Sequence, residues 1–174
     1  LNARLRLDHD GVPYVAYYQW QSAIVVMKFD GTSWVQLGGS ASGGEPPSVE
    51  TEQWRQWLSI DFDSQNTPYV AYQVLNHQNK AAVRRWSGSS WVSVGGTSFT
   101  PGPANYMSMA IDRADVPYVV FSDGANGGHL SVMRYAASPV TYCSAVVNSF
   151  GCTPNIGTSG TPSATSTAEF LITA

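Results

Sequence analysis

The sequence predicts an all-β protein built from three copies of one repeat of roughly 50 residues. The motif Pro-Tyr-Val recurs at Pro13, Pro68 and Pro117. The residues around each motif are rich in Tyr and Val, which favour strands. No stretch shows the sustained 3.6-residue apolar periodicity of an amphipathic helix. We therefore expect strands throughout and almost no helix.

Each copy is predicted to contain four short strands, A to D. A polar turn follows strand A, and strand B begins at the proline, where a missing N–H is tolerated. Strand C is residues 24–29 and their equivalents, and a Gly-Ser turn leads to strand D. The predicted A strands are Leu5–Asp8, Leu58–Asp61 and Met107–Asp112, and the D strands are Trp34–Leu37 and Trp91–Val94. The third copy lacks strand D, and residues 137–140 stand in its place.

Four-stranded units at this spacing are typical of propeller blades. Residues 1–140 are therefore predicted to be a β-propeller segment of about three blades (about 4–39, 57–96 and 106–140), the third incomplete. A β-sandwich is the alternative, because regularly spaced short strands also suit one. Repetition of Pro-Tyr-Val favours the propeller, since sandwich strands occupy unlike positions. Propellers typically close with four or more blades, so we expect further blades from a longer parent chain, or self-association.

The pattern that runs from Ile60-Asp61 through Pro68-Tyr69-Val70 to Trp91-Val92 and Gly95-Gly96 resembles blades of secreted bacterial β-propellers of the Kelch-like and sialidase-like kind. This resemblance implies a secreted or cell-surface module. The sialidase pattern S-x-D-x-G-x-x-W is only partly matched by residues 29–34, and Ser87 stands where the first copy has Asp30. Sialidase activity is therefore not carried over.

Residues 141–174 form a Gly/Ser/Thr-rich tail that resembles the beginning of a C-terminal β domain of large secreted bacterial proteins. Cys143 and Cys152 are the only cysteines. In an oxidising compartment they are predicted to form a disulfide. The chain begins without Met or a signal-peptide core, so we expect a processed protein or an excerpt of a longer one.

Charge and hydropathy exclude two classes of partner. The net charge is −3 with no basic run, whereas a surface that follows phosphates needs clustered Lys or Arg. No nucleic-acid partner is therefore predicted. No apolar run approaches the ~18 residues of a membrane span, so no membrane-spanning segment is predicted.

The candidate site lies where the copies differ. In an A-B-C-D meander, the B–C loops and the D–A connections share one face, and here both are long and unlike from copy to copy. Divergent loops on a rigid scaffold are where function usually resides. Aromatic rings beside amides and imidazoles suit a sugar, so we predict a glycan or protein ligand, in a role of adhesion or recognition. The candidate residues are Trp20, Trp54, Trp57, His77, Asn79, Tyr106, Asn126 and His129.

The repeated residues are interpreted as structural. Asp8, Asp61 and Asp112 are predicted to form turns, and Trp34 and Trp91 to pack between blades. The pairs Asp8/Asp10 and Asp61/Asp63 offer oxygen ligands of the kind Ca²⁺ takes, but no further ligand can be assigned, so no cofactor is predicted.

Enzyme function is not favoured. A glycoside hydrolase needs two carboxylates that flank a bond, and the spacing of Glu45, Glu50, Glu52 and Asp123 selects no pair. A hydrolase propeller of sialidase-like or other glycosidase type and a structural spacer are the alternatives to a binding module.

Overall fold

The computed structural model describes residues 3–19, 23–42, 57–74, 77–135 and 169–172, and three antiparallel sheets account for most of them. Sheet 1 contains β1 (Ala3–Leu7), β2 (Pro13–Gln19), β3 (Ala23–Phe29) and β4 (Trp34–Gln36). Sheet 2 contains β5 (Leu58–Phe62), β6 (Pro68–Val74), β7 (Lys80–Trp86) and β8 (Trp91–Val94). Sheet 3 contains β9 (Ala104–Ile111), β10 (Pro117–Asp123) and β11 (His129–Tyr135), with β12 (Glu169–Ile172) along the edge of β11. The all-β prediction is confirmed, because the described ranges contain no α-helix and their 3₁₀ geometry is limited to His77 and to a turn at Gly124–Asn126.

The three prolines occupy one equivalent position. Each begins the second strand of its sheet and stands opposite the last residue of the preceding strand: Leu7 with Pro13, Phe62 with Pro68 and Ile111 with Pro117. A proline at the first residue of a strand removes no necessary hydrogen bond. Counting back from each proline therefore gives structurally equivalent residues in the three sheets.

The third sheet receives its fourth strand from the tail. Three strands come from the third copy itself, as expected of a copy that lacks strand D. Glu169–Ile172 then pairs antiparallel with β11, with Ile172 opposite Val132 and Glu169 opposite Tyr135. The sequence did not indicate this pairing, and the predicted stand-in at residues 137–140 lies outside the described residues.

Sheet 2 is buried on both faces, because it packs between the other two sheets. One apolar cluster joins sheets 1 and 2 and includes Tyr14, Ile24 and Tyr72. A second joins sheets 2 and 3 and includes Val83 and Phe121. Every residue of β6 is buried as a result. Full burial of one such side chain contributes roughly 1.5–3 kcal/mol, so these two clusters hold the sheets together.

Trp91 packs between sheets as predicted. It is only 7% exposed, and its indole Nε1–H donates to the Leu37 carbonyl of sheet 1 at 3.0 Å. The ring also contacts Trp86, with centroids 5.5 Å apart. A buried indole N–H normally needs such an acceptor, so this hydrogen bond ties the outer strand of sheet 2 to sheet 1.

An aspartate closes the turn between the first two strands of every sheet. In sheet 2, Asp63 Oδ1 accepts the N–H of Gln65 at 3.0 Å and that of Thr67 at 2.8 Å. Asp8 and Asp112 accept the N–H groups two and four residues further on in the same way. A short acidic side chain thereby satisfies backbone donors that the strands leave unpaired.

The prediction that Asp61 forms the turn of the second copy is wrong. Asp63, not Asp61, lies five residues before its proline, as Asp8 and Asp112 do. The Ile-Asp pair that recurs in the sequence lies two residues further from the proline in this copy than in the third copy. Asp61 Oδ2 instead accepts the N–H of Ile111 at 2.8 Å. It therefore joins β5 to β9 across two sheets.

Candidate functional site

The divergent loops lie at one end of the sheets. The β2–β3, β6–β7 and β10–β11 connections leave this end, and β5 and β9 begin there. We call it the variable end, defined by residues 57, 77–79, 104–106 and 124–129. The short aspartate turns at residues 8–12, 63–67 and 112–116 lie at the opposite end. Antiparallel pairing produces this separation, because consecutive connections alternate between the two ends of a sheet.

Trp57 and Tyr106 form an aromatic pair at the variable end. Their ring centroids are 4.3 Å apart, with the planes inclined at 42°. Trp57 directly precedes β5 and is half-buried, whereas Tyr106 lies within β9 and is 58% exposed. The sequence analysis named both residues, and the structure brings them together between sheets 2 and 3. More than half of the Tyr106 side chain therefore faces solvent.

A bulge in β9 sets the position of Tyr106. Val120 of β10 stands opposite Ser108, whereas Ser122 stands opposite Asn105, so β9 contains one extra residue there. Tyr106 has φ +53°, in the left-handed region that a bulky residue rarely adopts. Such a conformation costs on the order of 1–3 kcal/mol and concentrates at ligand sites. Bulges commonly redirect a side chain near a functional site.

Sheet 1 holds Trp57 from the other side. The hydroxyl of Tyr18, at the end of β2, donates to the Trp57 carbonyl at 3.0 Å. Tyr18 is 6% exposed, and burial, with a smaller contribution from the neighbouring Tyr72, raises the pKa of its phenol well above the ordinary value. The Tyr18 hydroxyl therefore remains a neutral donor. Trp57 is fixed through its backbone to sheet 1 and through its ring to sheet 3.

Amide side chains flank the aromatic pair. The Gln73 side-chain amide donates to the Ala104 carbonyl at 2.5 Å and to Asn105 Oδ1 at 3.1 Å. Gln73 is 3% exposed, whereas Asn105, next to Tyr106, is half-buried. The Asn79 carbonyl accepts the N–H of Ala104 at 3.0 Å. Asn79 thus lies beside the start of β9, where the aromatic and amide groups converge.

Sequence reasoning missed Gln73 and Asn105. A signal for Gln73 was present, because it is a polar residue in an otherwise apolar run from Val70 to Val74. Asn105 carries no such signal. Its place in the site follows from the pairing of β9 with β10 and from the amide contact across the sheets.

The remaining described candidates also lie at the variable end. His77 is half-buried, with Nδ1 3.1 Å from the Ser98 hydroxyl. Asn126 belongs to the 3₁₀ turn. The Gly124 N–H of this turn donates to the carbonyl of Pro103, the residue before β9, at 2.8 Å. His129 begins β11 and is exposed. Trp20 and Trp54, and the cysteines Cys143 and Cys152, lie outside the described residues.

The carboxylate of Asp123 is engaged within the protein. It is 1% exposed, and it accepts the N–H of Ala125 at 2.9 Å and the hydroxyl of Ser131 at 3.1 Å. It therefore caps the 3₁₀ turn and holds the β10–β11 connection. The glutamates considered with it, at positions 45, 50 and 52, lie outside the described residues.

The aspartates considered as calcium ligands make protein contacts. Asp8 accepts two turn amides, and Asp10 Oδ2 accepts the Asn66 side-chain amide at 2.7 Å. Asp61 and Asp63 bond backbone amides as described above. In the part of the chain that the structure describes, no group of three or more His, Cys, Asp or Glu side chains could hold a metal ion. Nor does that part contain a helix long and apolar enough to cross a membrane.

Comparison with protein-family models gives no match, and comparison with curated proteins gives none either. Among solved structures, the chain is similar to a fucose lectin from Kordia zhangzhouensis, whose structure was determined in complex with methyl-fucoside. The TM-score is 0.49 and the identity 12%, over 79% of this chain and 94% of the lectin chain.

Proposed function

We propose that the three sheets are successive blades of a β-propeller that acts as an extracellular carbohydrate-binding module, with its site at the variable end. The packing supports the propeller, because sheet 2 contacts its neighbours with opposite faces and all three sheets have the same strand order. A sandwich has two sheets with one inner face each. The sparse charge and abundant Ser, Thr and Gly of the sequence support an extracellular location.

The Trp57–Tyr106 pair carries the proposal for the ligand. A sugar ring presents an apolar C–H face and a rim of hydroxyls. An exposed aromatic ring held in a fixed orientation can stack on the C–H face. An amide, which offers both a donor and an acceptor, can bind the hydroxyls. Tyr106 supplies the ring, Asn105 directly precedes it in β9, and the Asn79 carbonyl accepts the N–H of Ala104 at the start of the same strand. The left-handed backbone of the β9 bulge places the Tyr106 ring at this exposed position, and backbone strain of this kind concentrates at ligand sites.

An uncharged glycan fits this site better than a peptide. The side-chain bonds at the start of β9 are made by amides, those of Gln73 and Asn105, rather than by charged side chains. Peptide partners are usually held at hot spots rich in Trp, Tyr and Arg, and no arginine belongs to this group. A protein ligand is therefore an outcome that the experiment can reveal, not the expected one.

A glycan array probed with the chain, followed by calorimetric titration of the best ligand, tests the proposal. Tyr106→Ala and Trp57→Ala should each weaken binding about 10- to 30-fold, because loss of one stacked ring costs roughly 1.4–2 kcal/mol. Tyr106→Phe keeps the ring and should bind within about 3-fold of the original chain. Trp34→Ala is the aromatic control, since Trp34 is 44% exposed but begins β4 at the other end of sheet 1.

Two results would contradict the proposal. One is an array without any bound glycan, which would favour a protein ligand or a spacer role. The other is a Tyr106→Ala variant that binds as tightly as the original chain while Trp34→Ala weakens binding. Release of a free sugar from the bound glycan would replace the binding module with the hydrolase alternative.

A further inference from the structure

The two outer faces of the three-sheet array resemble its internal interfaces. Leu5 and Leu7 of sheet 1 are 64% and 59% exposed. Counted from the proline, their equivalents in sheet 2 are Ile60 and Phe62, which are 1% and 4% exposed because they face sheet 1. The residue of sheet 3 that corresponds to Leu5 is Met109, which is 2% exposed because it faces sheet 2. Sheet 1 thus carries interface residues on a face that none of the described sheets covers.

The same contrast holds at the outer strand of sheet 1. Trp34 stands opposite Phe29 in the register that Trp91 has opposite Trp86. Trp91 is 7% exposed against sheet 1, whereas Trp34 is 44% exposed. Position 34 thus carries a tryptophan although none of the described sheets packs on this face of sheet 1.

Sheet 3 shows the matching half of the contact. Leu130 is 64% exposed, whereas its equivalents Ile24 and Ala81 are 0% exposed between sheets. Tyr118 and Val132, also on this outer face, are half-buried, and the corresponding residues of sheets 1 and 2 face the next sheet. Sheet 3 therefore presents the kind of face that sheet 1 offers to sheet 2.

Side-chain to backbone bonds support the same order of sheets. Ser59 of β5 accepts the N–H of Met109 of β9 at 3.0 Å. Ser108, nine residues before its proline as Ser59 is, is exposed. Leu5 corresponds to Met109. In a contact of the same kind, the Leu5 N–H of a second copy would donate to the Ser108 hydroxyl, as the Met109 N–H donates to the Ser59 hydroxyl within the chain.

We propose that a second copy of this chain covers both faces, with sheet 3 of each copy packed on sheet 1 of the other. The contact continues the interface already formed between sheets 1 and 2. Terminal repeats that remain exposed usually carry a polar outer face, whereas these faces expose Leu5, Leu7 and Leu130. A head-to-tail contact of this type forms a ring if its rotation closes. Propellers typically have 4–8 blades, and two copies of the three described sheets give six, which lies within that range. This assembly does not depend on the identity of the ligand.

Light scattering of the chain after size-exclusion chromatography tests the proposal. At micromolar concentration the mass should be twice the chain mass of 18.7 kDa. Leu5→Glu and Leu130→Glu should each give a monomer, because each places a charge in an apolar contact. Val35→Glu is the control and should remain a dimer. Val35 is 47% exposed, but it stands opposite Lys28 on the side of sheet 1 that faces sheet 2.

Mixing the two variants distinguishes head-to-tail packing from other contacts. The Leu5→Glu chain keeps an intact sheet 3 face and the Leu130→Glu chain keeps an intact sheet 1 face. A mixed dimer therefore has one unaltered contact and one that contains both glutamates, whereas a dimer of either variant alone would have a glutamate in both contacts. The mixture should therefore form dimers that neither variant forms alone. Recovery on mixing also shows that both variants are folded. A monomeric original chain would overturn the proposal and assign the faces to another occupant, such as further blades of a longer chain. Equally decisive would be a dimer that survives both substitutions, loss of the dimer in only one of them, or no gain of mass on mixing.

Discussion

Replacement of Asp63 by Ala tests whether the aspartate turn is a stabilising element or only a feature of the repeat. Asp63 is 8% exposed and accepts two backbone N–H groups, at 3.0 and 2.8 Å. A hydrogen bond to a charged group contributes roughly 1.5–3 kcal/mol. Because Gln65 is exposed and its N–H can bind water after the substitution, we expect a total loss of about 2 kcal/mol in the free energy of unfolding. For a chain of this length, that lowers Tm by about 4–8 °C.

Urea unfolding followed by tryptophan fluorescence measures this loss, with Asp63→Asn as the matched control. Asn keeps an oxygen in the place of Oδ1, so it should cost less than about 1 kcal/mol. Asp63→Ala should also lower the pKa of Tyr69, which burial first and the Asp63 carboxylate second hold above its ordinary value. The reasoning fails if Asp63→Ala unfolds within about 0.5 kcal/mol of the original chain, or if Asn and Ala are equally destabilising.

Three further substitutions probe other contacts. Asp61→Ala should lower the free energy of unfolding by about 1–2 kcal/mol, because it leaves the Ile111 N–H without its acceptor. Urea denaturation measures this loss, and an unchanged midpoint would count against the bond between sheets 2 and 3. The amides and hydroxyls of its own turn lower the pKa of Asp30 to about 2, and an NMR titration should find it near that value. The contribution of this carboxylate to the stability of the fold is present above the unfolded pKa and is lost as pH falls through about 2. An Asp30→Ser variant should lack this pH dependence. Gly102→Ala would place a Cβ 2.6 Å from the Ala125 nitrogen, so it should displace the 3₁₀ turn and lower Tm; an unaltered Tm would mean that the turn shifts freely.

Much of the fold could be predicted from local pattern. Prolines that begin strands, polar turns and Tyr-Val runs are short-range features, and together they predicted the strands of each sheet. The error at Asp61 arose because a repeated residue pair was matched without counting to the proline, which alone marks the register. The partner of β12 could not be predicted, since pairing across a long stretch of chain leaves no mark on either strand.

The candidate site was predicted only in part. Loop divergence selected the variable end, and it named Trp57 and Tyr106 as separate candidates. Their contact depends on one extra residue in β9 and on how sheet 3 packs against sheet 2, and neither is a property of a local stretch of residues. The same applies to the amide bond between Gln73 and Asn105, which joins strands of different sheets.

The sequence by itself determined the repeat, the strand character of each segment and the end at which the copies differ, because alternation, turn residues and proline act within a few residues of chain. The tertiary structure decided which face of each sheet is covered and which two aromatic rings meet. It also decided that one aspartate of the second copy closes a turn whereas another forms a bond to the next sheet. These outcomes depend on the stacking of one sheet on the next, where residues some fifty positions apart become neighbours. The exposed Leu5 and Leu130 illustrate this difference, since a residue that the repeat marks for burial is covered only if another sheet is there to cover it.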